Sequence, residues 1–287
     1  MIRGSSSLSV VIPVYLQNQN DLGFLDRSLN SIYSQSLPPS EVIITNDSSP
    51  FFDDDLEGLI HSYHELKITL IRNDGKRGIS QNSNNGISHA KSKFIQVLHQ
   101  DDWLIDSNFY QELELYLKIS TDTFFLLPWK RLDFYSSPRF DLTALFGNNR
   151  VGGPSGVIFP NDPSHYFDEE LSMLCDVDFV YRLFKKFGKP QIFHRCAIEY
   201  GVSDGQAQNQ IGSAEFLNEL RRVSAKHKLG SGRVLSLALI RYRPEVTYGI
   251  ARQIQSLGVP LFTRICVWLV VLYCRLLIRL RKHISGK

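Results

Sequence analysis

The sequence predicts an α/β fold built on a mostly parallel sheet flanked by helices. Three observations carry that expectation. Short apolar, β-branched runs alternate with amphipathic segments through the first 130 residues. Each run ends in a polar or turn-forming cluster. Strand–helix–strand alternation of this kind implies parallel strands joined by right-handed crossovers.

The elements follow in order. Leu8 to Val14 is an apolar run ending at Pro13-Val14-Tyr15. Leu22, Leu25, Leu29, Ile32 and Tyr33 recur at helical spacing. Val42-Ile43-Ile44-Thr45 is a second strand, stopped by Asn46-Asp47-Ser48-Ser49-Pro50. Leu56, Leu59, Ile60 and Tyr63 mark a second helix, and Ile68-Thr69-Leu70-Ile71 a third strand. A Gly-rich turn leads to a helix from about Ser80 to Ser92. Phe94 to Leu98 is a fourth strand, ending at His99-Gln100-Asp101-Asp102. Residues 135–165 are rich in turn formers, which suggests a loop over a site. A helical stripe returns from Leu174 to Phe187, and Gln191 to Tyr200 reads as one more strand.

Composition narrows the function. Of 287 residues, 43% are apolar and 21% charged, which excludes a wholly disordered chain. Cys175, Cys196, Cys266 and Cys274 are too few for a disulfide scaffold and have no zinc-ligand spacing, so they read as reduced thiols in a cytosol-like compartment. The start of the sequence does not read as a signal peptide. The net charge of +3 hides a split: residues 221–287 carry fourteen Lys/Arg and one acid, leaving residues 1–220 at −10. The acidic body argues against nucleic acid as a partner. The basic C-terminal part points to a charged partner, above all anionic lipid.

In open parallel sheets, ligands bind beyond the carboxyl ends of the strands. Asn46-Asp47 and His99-Gln100-Asp101-Asp102 fall there. Paired acids such as Asp101 and Asp102 repel unless a divalent cation bridges them to a phosphate, or unless one caps a following element. Asp47 could accept from a ribose or base, or simply build an Asx turn. Asp176 near a helix start is favoured by the helix dipole and could equally be a general base. His99 could touch a phosphate or sugar, or be structural. Lys76, Arg77 and Gly78 precede a helix start, a place suited to phosphate as well as to solvent.

The order of these pieces resembles family 2 glycosyltransferases. The matching runs are Val10 to Tyr15, Leu29 to Gln35, Glu41 to Ser49, Gly78 to Ala90, Phe94 to Asp102, Gly153 to Gly156 and Cys175 to Leu183. The resemblance implies a GT-A fold. It places a Rossmann-like nucleotide-sugar half at about 1–130 and an acceptor half at about 131–220, followed by a basic helical extension at 221–287. It implies inverting transfer of a sugar from a UDP, dTDP or GDP donor, assisted by Mg²⁺ or Mn²⁺. Asp101 matches the metal-holding acid, with Asp102 beside it, and Asp47 matches the acid at the base. Asp176 matches the catalytic base, with Asp178 and Arg182 on the same block. Pro13, Tyr15, Lys76, Arg77, Gly78, Asn84 and Gln100 fall on the donor side. The sequence departs from the family pattern at His99, which replaces the first acid of Asp-x-Asp, and at Asn46, Ser83 and Cys175. A late histidine is missing near Ser203-Asp204-Gly205-Gln206.

Residues 257–284 form a basic amphipathic stretch. At 100° per residue, Arg264, Arg275, Arg279 and Lys282 share one side, opposite Leu, Ile, Val and Phe. Such a helix suits a membrane surface better than a span, although packing on the body or in an oligomer fits too. The combined expectation is a membrane-associated enzyme of polysaccharide biosynthesis, peripheral on the inner face of the plasma membrane, with a glycan or lipid-linked acceptor. Transfer to polyprenyl phosphate, or a GT-A scaffold that binds without catalysis, are the alternatives.

Overall fold

The computed structural model describes residues 6–75, 77–120, 122–140, 144–145, 149–202, 213–228, 269–270 and 272–273. Two compact units divide the chain, one of Met1–Arg139 with Val151–Gln206, the other of Phe140–Arg150 with Ala207–Lys287. Lys76, Cys266, Cys274, the stretch at Asp204 and all of the basic tail at 257–284 except residues 269–270 and 272–273 lie outside the described residues.

The first unit is mixed α/β. In chain order its elements begin with β1 (Leu8–Val14), α1 (Gln19–Tyr33), β2 (Glu41–Asn46), α2 (Asp53–His61) and β3 (Ile68–Arg72). They continue with α3 (Ile79–His89), β4 (Phe94–Val97), β5 (Trp103–Leu104), α4 (Phe109–Ile119), β6 (Phe125–Leu126), β7 (Trp129–Arg131) and β8 (Phe134–Ser136). The last are β9 (Val157–Pro160), α5 (Cys175–Phe187), β10 (Gln191–Ile192) and β11 (Ile198–Glu199). In the second unit, α6 (Ser213–His227) buries Phe216, Leu220 and Val223 at helical spacing.

Seven strands form the main sheet in the order β10-β6-β9-β4-β1-β2-β3. β1 pairs in parallel with β2 and β4, β2 with β3, and β10 with β6. β1 is buried along its whole length, as expected of a β-branched strand covered on both faces. The chain runs from β1 outward to β2 and β3, then returns to the other side at β4. That reversal opens a crevice at the carboxyl ends of β1 and β4. The β1–β4 pairing stops at Val11↔Val97. Pro13, which has no N–H to donate, therefore sits past the end of that ladder.

Two departures from the sequence expectation matter. β9 runs antiparallel between β4 and β6, so the parallel sheet is interrupted by a later segment. The expected single strand at Gln191 to Tyr200 is two. β10 joins the main sheet, and β11 joins a second sheet of order β5-β11-β7-β8. Between them Arg195 is held by Asp106 and Glu112, and Phe193 packs edge-on against Phe109. Those anchors bend the chain away from one ladder into another. One further helix, α4, buries Phe109, Tyr110, Leu113 and Leu117.

α3 lies on β1 and β2 through Gly86. A Cβ there would come 2.3 Å from Val11 Cγ1 and 3.2 Å from Thr45 Cγ2. Gly86→Ala gains about 1 kcal/mol of helix propensity and loses about 1–3 kcal/mol to overpacking against a stiff β-branched side chain. The variant is expected to be less stable than the parent, read as a lower midpoint in urea unfolding.

Candidate active site

Three strand ends deliver the polar residues. After β2, Asn46 Oδ1 accepts from the Ser48 amide at 2.8 Å, so the Asx turn belongs to Asn46. Asp47 is buried. Its Oδ1 accepts from Asn73 Nδ2 at 2.7 Å and its Oδ2 from the Gly78 amide at 3.0 Å. Asp47 therefore fixes the amino end of α3. Gly78 has φ +141, a left-handed backbone that favours glycine, and Arg77 beside it is exposed. Asn84 is committed to the fold: it exchanges hydrogen bonds with the Phe167 backbone and donates to Glu169. Beyond β1 and β4, Gln100 Oε1 accepts from the Tyr15 amide at 2.7 Å, and Gln100 Nε2 donates to the Tyr15 carbonyl at 3.2 Å. This two-point clamp holds the rim of the crevice and leaves the Tyr15 ring half exposed.

The His99–Asp102 turn is built from three directions. Antiparallel pairing with β4 brings the start of β9, and with it Ser155, alongside His99. Ser155 Oγ accepts from the His99 amide at 3.0 Å and donates to Asp102 Oδ2 at 2.5 Å. β11 delivers Gly201, whose amide donates to Asp102 Oδ1 at 3.0 Å. A Cβ on Gly201 would lie 1.9 Å from the Asp101 carbonyl oxygen, so only glycine allows this approach. Burial and the Asp101 charge push the Asp102 carboxyl well above its usual range, against the pull of Ser155, Gly201 and Arg131. Burial holds the His99 imidazole below its usual value, although Asp101 opposes this. His99, Asp101 and Asp102 each offer a ligand atom, all within 4.8 Å of one another. His99 Nε2 is shut off from solvent with no hydrogen-bond partner among the described residues. One imidazole and two carboxylates, one side chain unsatisfied, fit a divalent cation.

α5 supplies the remaining acids. Asp176 lies in its first turn and is half-buried, with Oδ1 accepting from the Val177 amide at 2.7 Å. Asp178 is fully buried and paired with Arg182 at 2.9 Å, and Arg182 also donates to the Tyr166 carbonyl. That pair holds the segment before α5, so neither residue is free for ligand. The Tyr200 phenol is pushed well up, first by burial, then by the charges of Asp102 and of Asp176 among others. Tyr200 Oη accepts from the Gly153 amide at 2.8 Å, and Trp129 lies 5.1 Å away ring to ring. Cβ atoms on Gly152 or Gly156 would meet Tyr200 Oη at 2.6 and 2.8 Å. Tyr200, Gly201 and the role of Ser155 were missed by sequence reasoning. The glycines around Ser155 were the available signal.

With this geometry established, comparison with known proteins identifies the class: the fold is GT-A and the chain is a glycosyltransferase. Residues 9–133 match the family model described as Glycosyl transferase family 2. An uncharacterized glycosyltransferase of Bacillus subtilis, YwdF, is 28% identical over 276 residues, 90% of this chain and 98% of that protein. A GalNAc(5)-diNAcBac-PP-undecaprenol beta-1,3-glucosyltransferase of Campylobacter jejuni is 29% identical over 102 residues, 34% of this chain and 30% of that protein. Among solved structures, a mannosyltransferase from Pyrobaculum calidifontis in complex with GDP-Man and Mn²⁺ superposes with a TM-score of 0.60 at 14% identity, covering 92% of this chain and 79% of that one.

Two measurements probe the site's framework. Ser155→Ala leaves a buried carboxylate short of a donor and is expected to cost about 1–3 kcal/mol in urea unfolding. The second concerns His165, which anchors α5. His165 is buried, with Nδ1 against the Pro160 carbonyl at 2.8 Å and Nε2 facing Lys186 Nζ at 3.2 Å. Burial lowers its pKa below 6.5 in the folded state. The stability tied to its neutral form is present above that value and is lost as pH falls below it. Unfolding midpoints measured from about pH 7 to about pH 5 are expected to fall less steeply in His165→Asn than in the parent.

Proposed function

We propose that the enzyme transfers a sugar, with inversion, from a nucleoside-diphosphate sugar to a hydroxyl of a lipid-linked or growing glycan acceptor. The observation that carries this reading is the cluster of His99, Asp101 and Asp102 beyond the carboxyl end of β4, whose ligand atoms lie within 4.8 Å of one another. The donor's nucleoside would enter the crevice between β1 and β4, along Tyr15 and the Asp47–Gly78 corner. His99, Asp101 and Asp102 would hold a divalent cation, which supplies positive charge opposite the departing diphosphate.

Asp176 is assigned as general base. Its carboxylate takes the proton of the acceptor hydroxyl as that oxygen attacks the anomeric carbon from the side opposite the diphosphate. Asp178 and Arg182 act as positioning residues: their buried ion pair fixes the first turns of α5, and so the direction of Asp176. Tyr200 and Trp129 form the wall beside the reacting centre. The undecaprenol-linked substrate in the name of the Campylobacter jejuni relative supports a lipid-linked acceptor, as does the basic amphipathic sequence at 257–284. On this reading the tail is a peripheral contact with the inner membrane face. Among the described residues no helix is long and apolar enough to cross a membrane. The nucleotide-sugar half, acceptor half and basic extension remain the proposed functional divisions.

Calorimetry with UDP, GDP, dTDP and CMP, each with and without Mn²⁺, tests the donor site in the full chain. One nucleoside diphosphate is expected to bind only with metal, and Asp101→Ala is expected to abolish that binding. Asp176→Asn is expected to bind the same nucleotide within about threefold of the parent while sugar transfer falls about 10²-fold or more. Retained turnover in that variant contradicts the assignment of the base.

A further inference from the structure

His99 occupies the position where the family pattern has an acid, and its side chain has chemistry that no acid has. We propose that His99 Nε2 is a direct ligand of the divalent cation. The site then holds its metal through one nitrogen together with carboxylate oxygens, and prefers Mn²⁺ or Co²⁺ over Mg²⁺. The proposal deepens the donor-site reading above and rests on it.

Three observations support it. First, Nε2 is buried and unpartnered among the described residues. An unpaired polar nitrogen of that kind costs about 1–3 kcal/mol, and fold partners would ordinarily remove the cost. The neighbouring polar atoms of the turn are instead engaged: the His99 amide donates to Ser155 Oγ and the Asp102 amide to the His99 carbonyl. Second, the ligand atoms of His99, Asp101 and Asp102 lie within 4.8 Å of one another. Donors about 2.1 Å from a shared ion sit up to about 4.2 Å apart, so small side-chain rotations close the corner around a cation. Third, the roots of these side chains are fixed. Ser155 joins the His99 amide to the Asp102 carboxylate, and Gly201 holds the other Asp102 oxygen. The cluster therefore has little freedom to reorganise into an all-oxygen cage.

The donor set decides the ion. Mg²⁺ takes a strict octahedron of oxygens and gives up water reluctantly. A neutral imidazole adds little for Mg²⁺ and progressively more for first-row transition ions. Replacing an acid with imidazole also removes one negative charge from the cluster. That weakens its purely electrostatic hold on any divalent ion, while the nitrogen bond compensates only for the transition metals.

The test uses the full-length chain and MnCl₂ alone. Continuous-wave EPR titration gives the number of bound ions, and pulsed EPR reads ¹⁴N modulation from a directly coordinated nitrogen. One Mn²⁺ with nitrogen coupling is expected in the parent. His99→Asp is expected to bind Mn²⁺ without nitrogen coupling, and its ratio of Mg²⁺ to Mn²⁺ dissociation constants is expected to drop about tenfold. His99→Gln, checked by circular dichroism, provides the same loss of coupling should the aspartate variant fold poorly. Mn²⁺ that binds in an Asp101-dependent manner with no nitrogen coupling overturns the role of His99 and leaves the transfer reading standing. Absence of any saturable Mn²⁺ site, with or without UDP, overturns both.

Discussion

The arrangement turns on a carboxylate taken out of water. A buried charge of this kind costs several kcal/mol unless it is paired and hydrogen-bonded. Asp102 meets that demand with partners from separate stretches of chain: Ser155 ahead of β9, Gly201 after β11, and the field of Arg131 on β7. None of the three is near Asp102 in sequence. The main sheet and the small sheet must both be in place before the site can exist.

A second buried chain supports the first. The Tyr110 hydroxyl on α4 donates to Gln96 Oε1 at 2.7 Å, and Gln96 Nε2 donates to the Ser155 carbonyl at 2.8 Å. Burial pushes the Tyr110 phenol far above its ordinary value, so it stays a neutral donor. Ser155 is thus held at its carbonyl from the core and offers its hydroxyl to the site. In a low-dielectric interior, each bond in such a chain restricts the next, and a partly satisfied network is costly. That is why a serine hydroxyl on a short 3-10 turn (Pro154–Gly156) can position the Asp102 carboxylate so closely.

The Rossmann-like half was legible because its signals are local. β1 and β2 are buried on every residue and show as β-branched, mainly apolar runs, while α1 and α2 carry stripes at helical spacing. α4 carries the same kind of local signal in Phe109, Tyr110, Leu113 and Leu117. The small sheet is a different case. Its strands are two or three residues long, too short for any periodicity to show. The acids at 101, 102 and 176 could be found from their places after a strand and at a helix start. Ser155, Tyr200 and Gly201 could not, since their importance comes from antiparallel register and close backbone approach. Asp47 and Asn84 illustrate the opposite lesson. Both stand at positions that suggest ligand contact, yet their polar atoms are spent on Gly78, Asn73, Phe167 and Glu169.

The antiparallel insertion of β9 beside β4 has a mechanical consequence. A strand from the later part of the chain is stitched into the middle of the main sheet, and Ser155, two residues ahead of it, is bonded to the His99–Asp102 turn. Drawing β9 out of the sheet would break its pairings with β4 and β6 together with the Ser155 bonds, so within this unit the turn cannot shift without the sheet.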